Sequence, residues 1–187
     1  YSLEELESAA LANFPALNRQ RKLVEENRLS VRLAEKEVKP DFSVGYAYMQ
    51  RAGMGDMYGI TLTTSLPIFR RNKQDQAIKE AAANLKSSQQ MEANELTLLR
   101  YRVKQEFLRV QAADRLMKLY AQGILPQSTL ALESSLASYE TGAIDFLNVL
   151  SNFTTVLDYE LGYHEQLASH EKSLARLEEL TSLELIR

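Results

Sequence analysis

Two histidines, His164 and His170, are the side chains best suited to binding a metal or moving a proton near neutral pH. They lie six residues apart in a stretch of helical periodicity. Six steps of ~100° turn about 240° around a helix, so the two imidazoles do not share a face. Helical ligand pairs use spacings of three or four instead. Met49, Met54 and Met57 carry the soft thioethers that suit copper(I)-like ions, yet they surround a turn between two extended runs, where packing is the simpler role. There is no cysteine, hence no thiolate nucleophile, no thiolate zinc site and no disulfide framework. No glycine-rich phosphate loop, no carboxylate pair in an evident cleft and no Ser–His–Asp arrangement stands out. Acidic pairs such as Glu4–Glu5 and Glu178–Glu179 read as solvated helix faces. The residue types therefore predict neither enzyme, metal site nor cofactor.

The elements that would position such residues are mostly helical. Only 7 glycines and 4 prolines occur in 187 residues, too few breakers for an all-β fold. A net charge of −3, with both signs interspersed, leaves no basic footprint for nucleic acid. No run approaches the ~18 apolar residues of a membrane-spanning helix, so any membrane contact must come through strands or lipid. The chain opens on Tyr1 without a leader pattern, and the expectation is a piece excised from a longer protein.

Residues 3–39 read as helix, interrupted at Asn13-Phe14-Pro15, because proline disfavours helical geometry in the residue before it. Leu17, Val24, Val31 and Val38 then recur every seven residues, up to Pro40. From Asp41 the period changes to two. Phe42, Val44, Tyr46 and Tyr48 alternate with Ser43, Gly45, Ala47 and Met49; after Gln50–Asp56, Tyr58, Ile60, Leu62, Leu66 and Ile68 alternate with Gly59, Thr61, Thr63 and Ser65. That pattern predicts a hairpin with one large apolar face and one small polar face. Each arm is close to the ~9–11 residues of a tilted membrane strand.

Helical periodicity returns near Arg70. Leu96, Leu99, Val103, Phe107, Val110, Ala113, Met117 and Tyr120 form a coiled-coil seam, preceded by a small-residue stretch, Ala77 to Ser88. A break is expected near Gly123–Pro126, and Gly142 sits where a helix cap belongs. The last helix, from about Ile144 to Leu183, carries two apolar stripes: Leu150, Phe153, Leu157, Leu161 and Leu167, and Val149, Val156, Tyr163 and Leu177. Two stripes predict neighbours on both sides. At ~1.5 Å per residue the stretch from Arg70 to Gly142 spans roughly 110 Å, and the helices before Pro40 and after Gly142, end to end, nearly match it.

Three stretches resemble the outer-membrane factor family, the TolC-like channels of efflux and type I secretion. Lys39-Pro40-Asp41-Phe42-Ser43-Val44-Gly45 resembles its helix-to-strand entry, and Ser65-Leu66-Pro67-Ile68-Phe69 its strand-to-helix exit. Leu125-Pro126-Gln127, followed by Tyr139-Glu140-Thr141-Gly142-Ala143-Ile144-Asp145-Phe146-Leu147-Asn148-Val149-Leu150, resembles the periplasmic tip. The Pro-Asp-Phe form suggests the second of the family's two repeats, and the Leu-Pro-Gln form leans to its heavy-metal branch. The implied fold is mainly α: long antiparallel coiled-coil helices with one membrane-type β-hairpin, half of an outer-membrane efflux protein protomer. Its parts are residues 1–40 leading to the membrane end, the hairpin 41–69, a long descending helix 70–142 with a break near 123–126, and the returning helix 143–187.

The resemblance also implies a homotrimer sharing one barrel in the outer membrane of a Gram-negative bacterium, with a helical tunnel across the periplasm. It implies passive export of small molecules, drugs or metal ions, driven by an inner-membrane pump and a periplasmic adaptor. Thr141, Gly142, Ala143 and Ile144 are then the adaptor-docking tip, and Asp145, Asn148 and Ser151 line the aperture. Asn148 and Ser151 stand where the family often has acidic side chains. Phe42, Val44, Tyr46, Tyr48, Tyr58, Ile60 and Leu62 face outer-membrane lipid. The alternative from the residues alone is a soluble coiled-coil scaffold or protein-interaction module with an incidental hairpin. Half a protomer cannot close a barrel, so the isolated chain is expected to self-associate or repack, with a shortened or distorted hairpin.

Overall fold

The computed structural model describes residues 1–53, 55–65 and 73–185, and these are mainly helical with one antiparallel strand pair. Helix α1 spans Leu3–Asn13 and α2 spans Pro15–Lys36. Ser2 caps α1: its hydroxyl accepts from the Glu5 amide, while the Glu5 carboxylate accepts from the Ser2 amide. That amide bond holds the Glu5 carboxyl below the usual range. Phe14 ends α1 in an extended conformation (ψ 117°), as a residue before proline does.

Strands β1 (Asp41–Met49) and β2 (Met57–Ser65) pair in one register from Asp41↔Ser65 to Met49↔Met57. All nine pairs form, so among the described residues the hairpin is neither shortened nor distorted. Its backbone ladder closes within the two arms, which makes partner strands unnecessary for local regularity. The strand-exit signature from Leu66 to Phe69, with Leu66 and Ile68 of the apolar face, lies outside the described residues, as does Met54.

Helix α3 covers Gln74–Leu119, 46 residues. The expected break near Gly123–Pro126 takes the form of a π-helical segment, Tyr120–Ile124, which leads directly into α4 (Leu125–Glu140). Here the Leu125 amide reaches back five residues to the Tyr120 carbonyl. Widening the ladder by one residue lets the chain stay helical as it approaches Pro126, which donates no bond of its own. Helix α5 covers Phe146–Thr181 and ends at Ser182, whose φ of 56° is left-handed.

Two compact units are present, one of Tyr1–Pro15 with Leu96–Arg187 and one of Ala16–Glu95. In the first, Leu6, Ala10, Leu99, Val103, Ala113, Val149, Val156, Leu177 and Leu180 are buried. These come from α1, from the α3 seam and from one of the two α5 stripes, with Leu180 three residues beyond its last member. In the second, Leu17, Val24 and Ala34 of α2 are buried. The Gln20 amide there donates to the Ser88 carbonyl at 3.3 Å, and Arg21 lies 3.8 Å from Glu92. Small side chains on α3, Ser88 among the buried ones, permit that approach of α2.

Candidate functional site

Alternation in the hairpin puts Phe42, Val44, Tyr46 and Tyr48 opposite Thr64, Leu62, Ile60 and Tyr58 on one face. The other face holds Ser43, Gly45, Ala47 and Met49 against Thr63, Thr61, Gly59 and Met57. Every large side chain of the apolar face is exposed, from 49% for Tyr48 to 81% for Ile60. The Tyr58 ring lies 5.2 Å from that of Tyr48 and 6.5 Å from that of Tyr46, gathering three phenols at the turn end. Tyr48 donates its hydroxyl to the Asp56 carboxylate at 2.8 Å. Met49 and Met57 are register partners on the small-residue face.

At the other candidate site, α4 turns into α5 through five residues. Gly142 adopts φ +72°, and its amide donates to the Tyr139 carbonyl at 2.9 Å. The next amide, of Ala143, donates to the Ser138 carbonyl at 2.9 Å. This pair of bonds is a Schellman cap, which needs a left-handed residue at the position of Gly142. The Thr141 hydroxyl adds a bond to the Ser138 carbonyl at 3.0 Å. Asp145 then caps α5, accepting from the Asn148 amide at 3.1 Å and from its side-chain amide at 2.6 Å. The Tyr139 and Phe146 rings meet edge-on at 6.1 Å, clamping the helix ends together.

Thr141, Gly142 and Ala143 are exposed and Ile144 is half-buried, with no atom within 4 Å of where a Gly142 Cβ would stand. Asp145, Asn148 and Ser151 are exposed on the first turns of α5. Sequence reasoning paired Asn148 with Ser151 and missed the bond that ties Asn148 to Asp145. It also missed the Tyr139–Phe146 clamp, although an aromatic on each side of a Gly-containing turn is a readable signal.

The two α5 stripes differ in their surroundings. Val149, Val156 and Leu177 are buried and Tyr163 is half-buried, whereas Leu150, Phe153, Leu157 and Leu161 are exposed and Leu167 is half-buried. Near the turn, Leu132, Leu136, Phe146, Val149, Leu150 and Phe153 line an apolar groove between α4 and α5. No group of three or more His, Cys, Asp or Glu suited to a metal occurs among the described residues, and His170 instead contacts the neighbouring Glu171 at 3.0 Å.

Comparison with solved structures finds the same fold. CusC, solved in a study of folding and transmembrane channel formation, superposes with a TM-score of 0.79 at 16% identity. The Campylobacter jejuni CmeC outer membrane channel gives 0.76 at 16% identity, and the Vibrio cholerae outer membrane protein VceC gives 0.77 at 17%. These matches cover 97%, 98% and 88% of this chain but only 43%, 41% and 42% of those proteins. The chain thus spans about two fifths of the length of these solved relatives. No curated protein matches it in sequence. The family model for outer membrane efflux proteins matches residues 6–182. That match runs from within α1 through both strands to the end of α5, so the chain belongs to the outer membrane efflux protein family, whose members occupy the outer membrane and periplasm of Gram-negative bacteria.

Proposed function

We propose that the chain is one half, the second, of a protomer in a passive exit duct of a tripartite efflux system. In this reading the hairpin contributes two strands to a barrel shared by three protomers, and the helices line a periplasmic tunnel. The observation that carries it is the hairpin. Seven large apolar side chains stand exposed on one face, and small or polar residues fill the other up to the Met49–Met57 pair at its turn end. Nine residues at ~3.3 Å rise, tilted by ~40°, give a height of roughly 23 Å, close to the ~25 Å apolar band of outer-membrane barrels. A soluble scaffold offers no reason to leave Phe42, Val44, Ile60 and Leu62 in water.

The turn at Gly142 is then the docking tip for a periplasmic adaptor, with Thr141, Ala143 and Ile144 beside it. Its Schellman cap and aromatic clamp hold a protruding, chemically bare backbone in one shape, which suits packing against a partner helix end. Asp145, Asn148 and Ser151 face the aperture, and the exposed α5 stripe packs on neighbouring helices of the ring. Transport is conduction without chemistry, powered by an inner-membrane pump, with small solutes as cargo. The hairpin is tested by charge insertion in the full-length protein. Ile60→Lys places a cation against lipid, at about 2–4 kcal/mol near the midplane, and is expected to deplete the protein from the outer membrane and abolish efflux-dependent resistance. Thr61→Lys, on the opposite face, is expected to assemble. Equal assembly of both variants would overturn the lipid-facing assignment.

A further inference from the structure

The α3 seam contains a charged residue at a buried position. Glu106, three residues after Val103 and four before Val110, is 6% exposed. Burying a carboxylate is unfavourable unless ion pairs and hydrogen bonds compensate it. Here Arg109 Nη1 donates to its Oε1 at 2.8 Å, and Arg176 Nη1, from α5, lies 3.5 Å from the same oxygen. One carboxylate therefore holds two flexible guanidinium groups, from different helices, at one place. Both arginine side chains remain about half exposed (47% and 59%), leaving N–H donors that Glu106 does not use.

Those donors open onto a hollow lined by Arg109, Arg176, Lys172, Ser169, Ser173 and Glu165. Glu106 does not line it; it borders a neighbouring hollow with Phe14 and Leu180. Ser173 is only 3% exposed, yet its hydroxyl has no partner among the described residues, and neither do the Ser169 hydroxyl or the Lys172 ammonium. The lining thus presents three cations and two unused hydroxyls against one carboxylate, Glu165.

We propose that this hollow binds a small oxyanion of the phosphate or sulfate class. Guanidinium groups and an ammonium supply charge-assisted donors, the two serines complete the shell, and Glu106 positions the arginines beforehand. An oxyanion there would join α3 to α5 through shared donors. The test is titration of the 187-residue chain with inorganic phosphate, followed by calorimetry and thermal melting, with sodium chloride at matched ionic strength as reference. The expected result is saturable one-to-one binding with a rise in melting temperature that chloride does not give. Lys172→Gln should weaken binding about tenfold, as expected for one lost charge-assisted bond. Glu165→Gln should tighten it. Both side chains sit on the open side of the hollow, so neither change endangers the fold. Lys104→Gln and Glu160→Gln, charge changes on the same helices away from the hollow, should leave affinity unchanged. Absence of saturable binding, or equal effects from the control substitutions, would overturn the proposal.

Discussion

Replacing Gly142 separates the structural demand of the α4–α5 turn from its proposed use. The residue adopts φ +72°, and nothing lies within 4 Å of an added Cβ. Gly142→Ala therefore meets no steric obstacle from its neighbours, and its penalty is the left-handed backbone alone, about 1–2 kcal/mol. For a chain of this size each kcal/mol shifts the melting temperature by about 2–4 °C, so the alanine variant should melt roughly 2–8 °C below the parent. Gly142→Asn should lose less, because asparagine enters the left-handed region more readily than alanine. Both variants keep the Gly142 and Ala143 amide bonds to Tyr139 and Ser138. Melting of the isolated chain by circular dichroism measures the first effect, and efflux-dependent resistance of cells carrying the full-length variant measures the second. Gly142→Asn is expected to fold nearly normally and still to lower resistance, because its side chain protrudes where a partner must approach. An alanine variant that melts with the parent would refute the backbone reasoning. An asparagine variant with full resistance would refute docking.

Two other outcomes follow from packing. A Cβ on Gly162 would stand 2.8 Å from the Tyr120 hydroxyl and 3.0 Å from Cζ, so Gly162→Ala sets an overpacking penalty of about 1–3 kcal/mol against a helix-propensity gain of about 1 kcal/mol. Net destabilisation is expected in the parent chain and stabilisation in a Tyr120→Ala background, a sign change that a double-mutant cycle by thermal melting detects. On α5, Val156→Ala should destabilise the isolated chain, since Val156 is 8% exposed, whereas Leu157→Gln, at 47% exposed, should leave its melting unchanged. The same Leu157→Gln, combined with Phe153→Gln, should reduce self-association in a light-scattering dilution series, because both side chains belong to an exposed apolar stripe.

Periodicity made most of the fold legible. The seven-residue recurrence from Leu17 and the three-four spacing from Leu96 to Tyr120 reflect burial along one helix face, which the chain encodes directly. The hairpin register was equally readable, because a slip of one residue would move Phe42, Val44 and their partners to the opposite face. Less legible was how Gly123 and Pro126 are accommodated, since a break and a π-helical widening follow from the same two residues. The Asp145 cap moved the start of α5 to Phe146, because the capping bond to the Asn148 amide depends on local backbone geometry. Glu106 escaped notice for a different reason. A carboxylate within an apolar seam is acceptable only once Arg176, 70 residues later, is known to reach it.

The membrane role of the hairpin is open to one direct measurement, because these 187 residues contain no cysteine, and single cysteines introduced here are unique once any cysteine elsewhere in the full-length protein is replaced. Spin labels placed one at a time from residue 42 to 48 and from 58 to 64, in the full-length protein in outer membranes, report access to oxygen and to a water-soluble nickel chelate. A period of two is expected, with oxygen favoured at Phe42, Val44, Tyr46, Tyr48, Tyr58, Ile60 and Leu62 and the chelate favoured at Ser43, Gly45, Ala47, Gly59, Thr61 and Thr63. Uniform access of the chelate to both faces would contradict a strand pair embedded in the membrane.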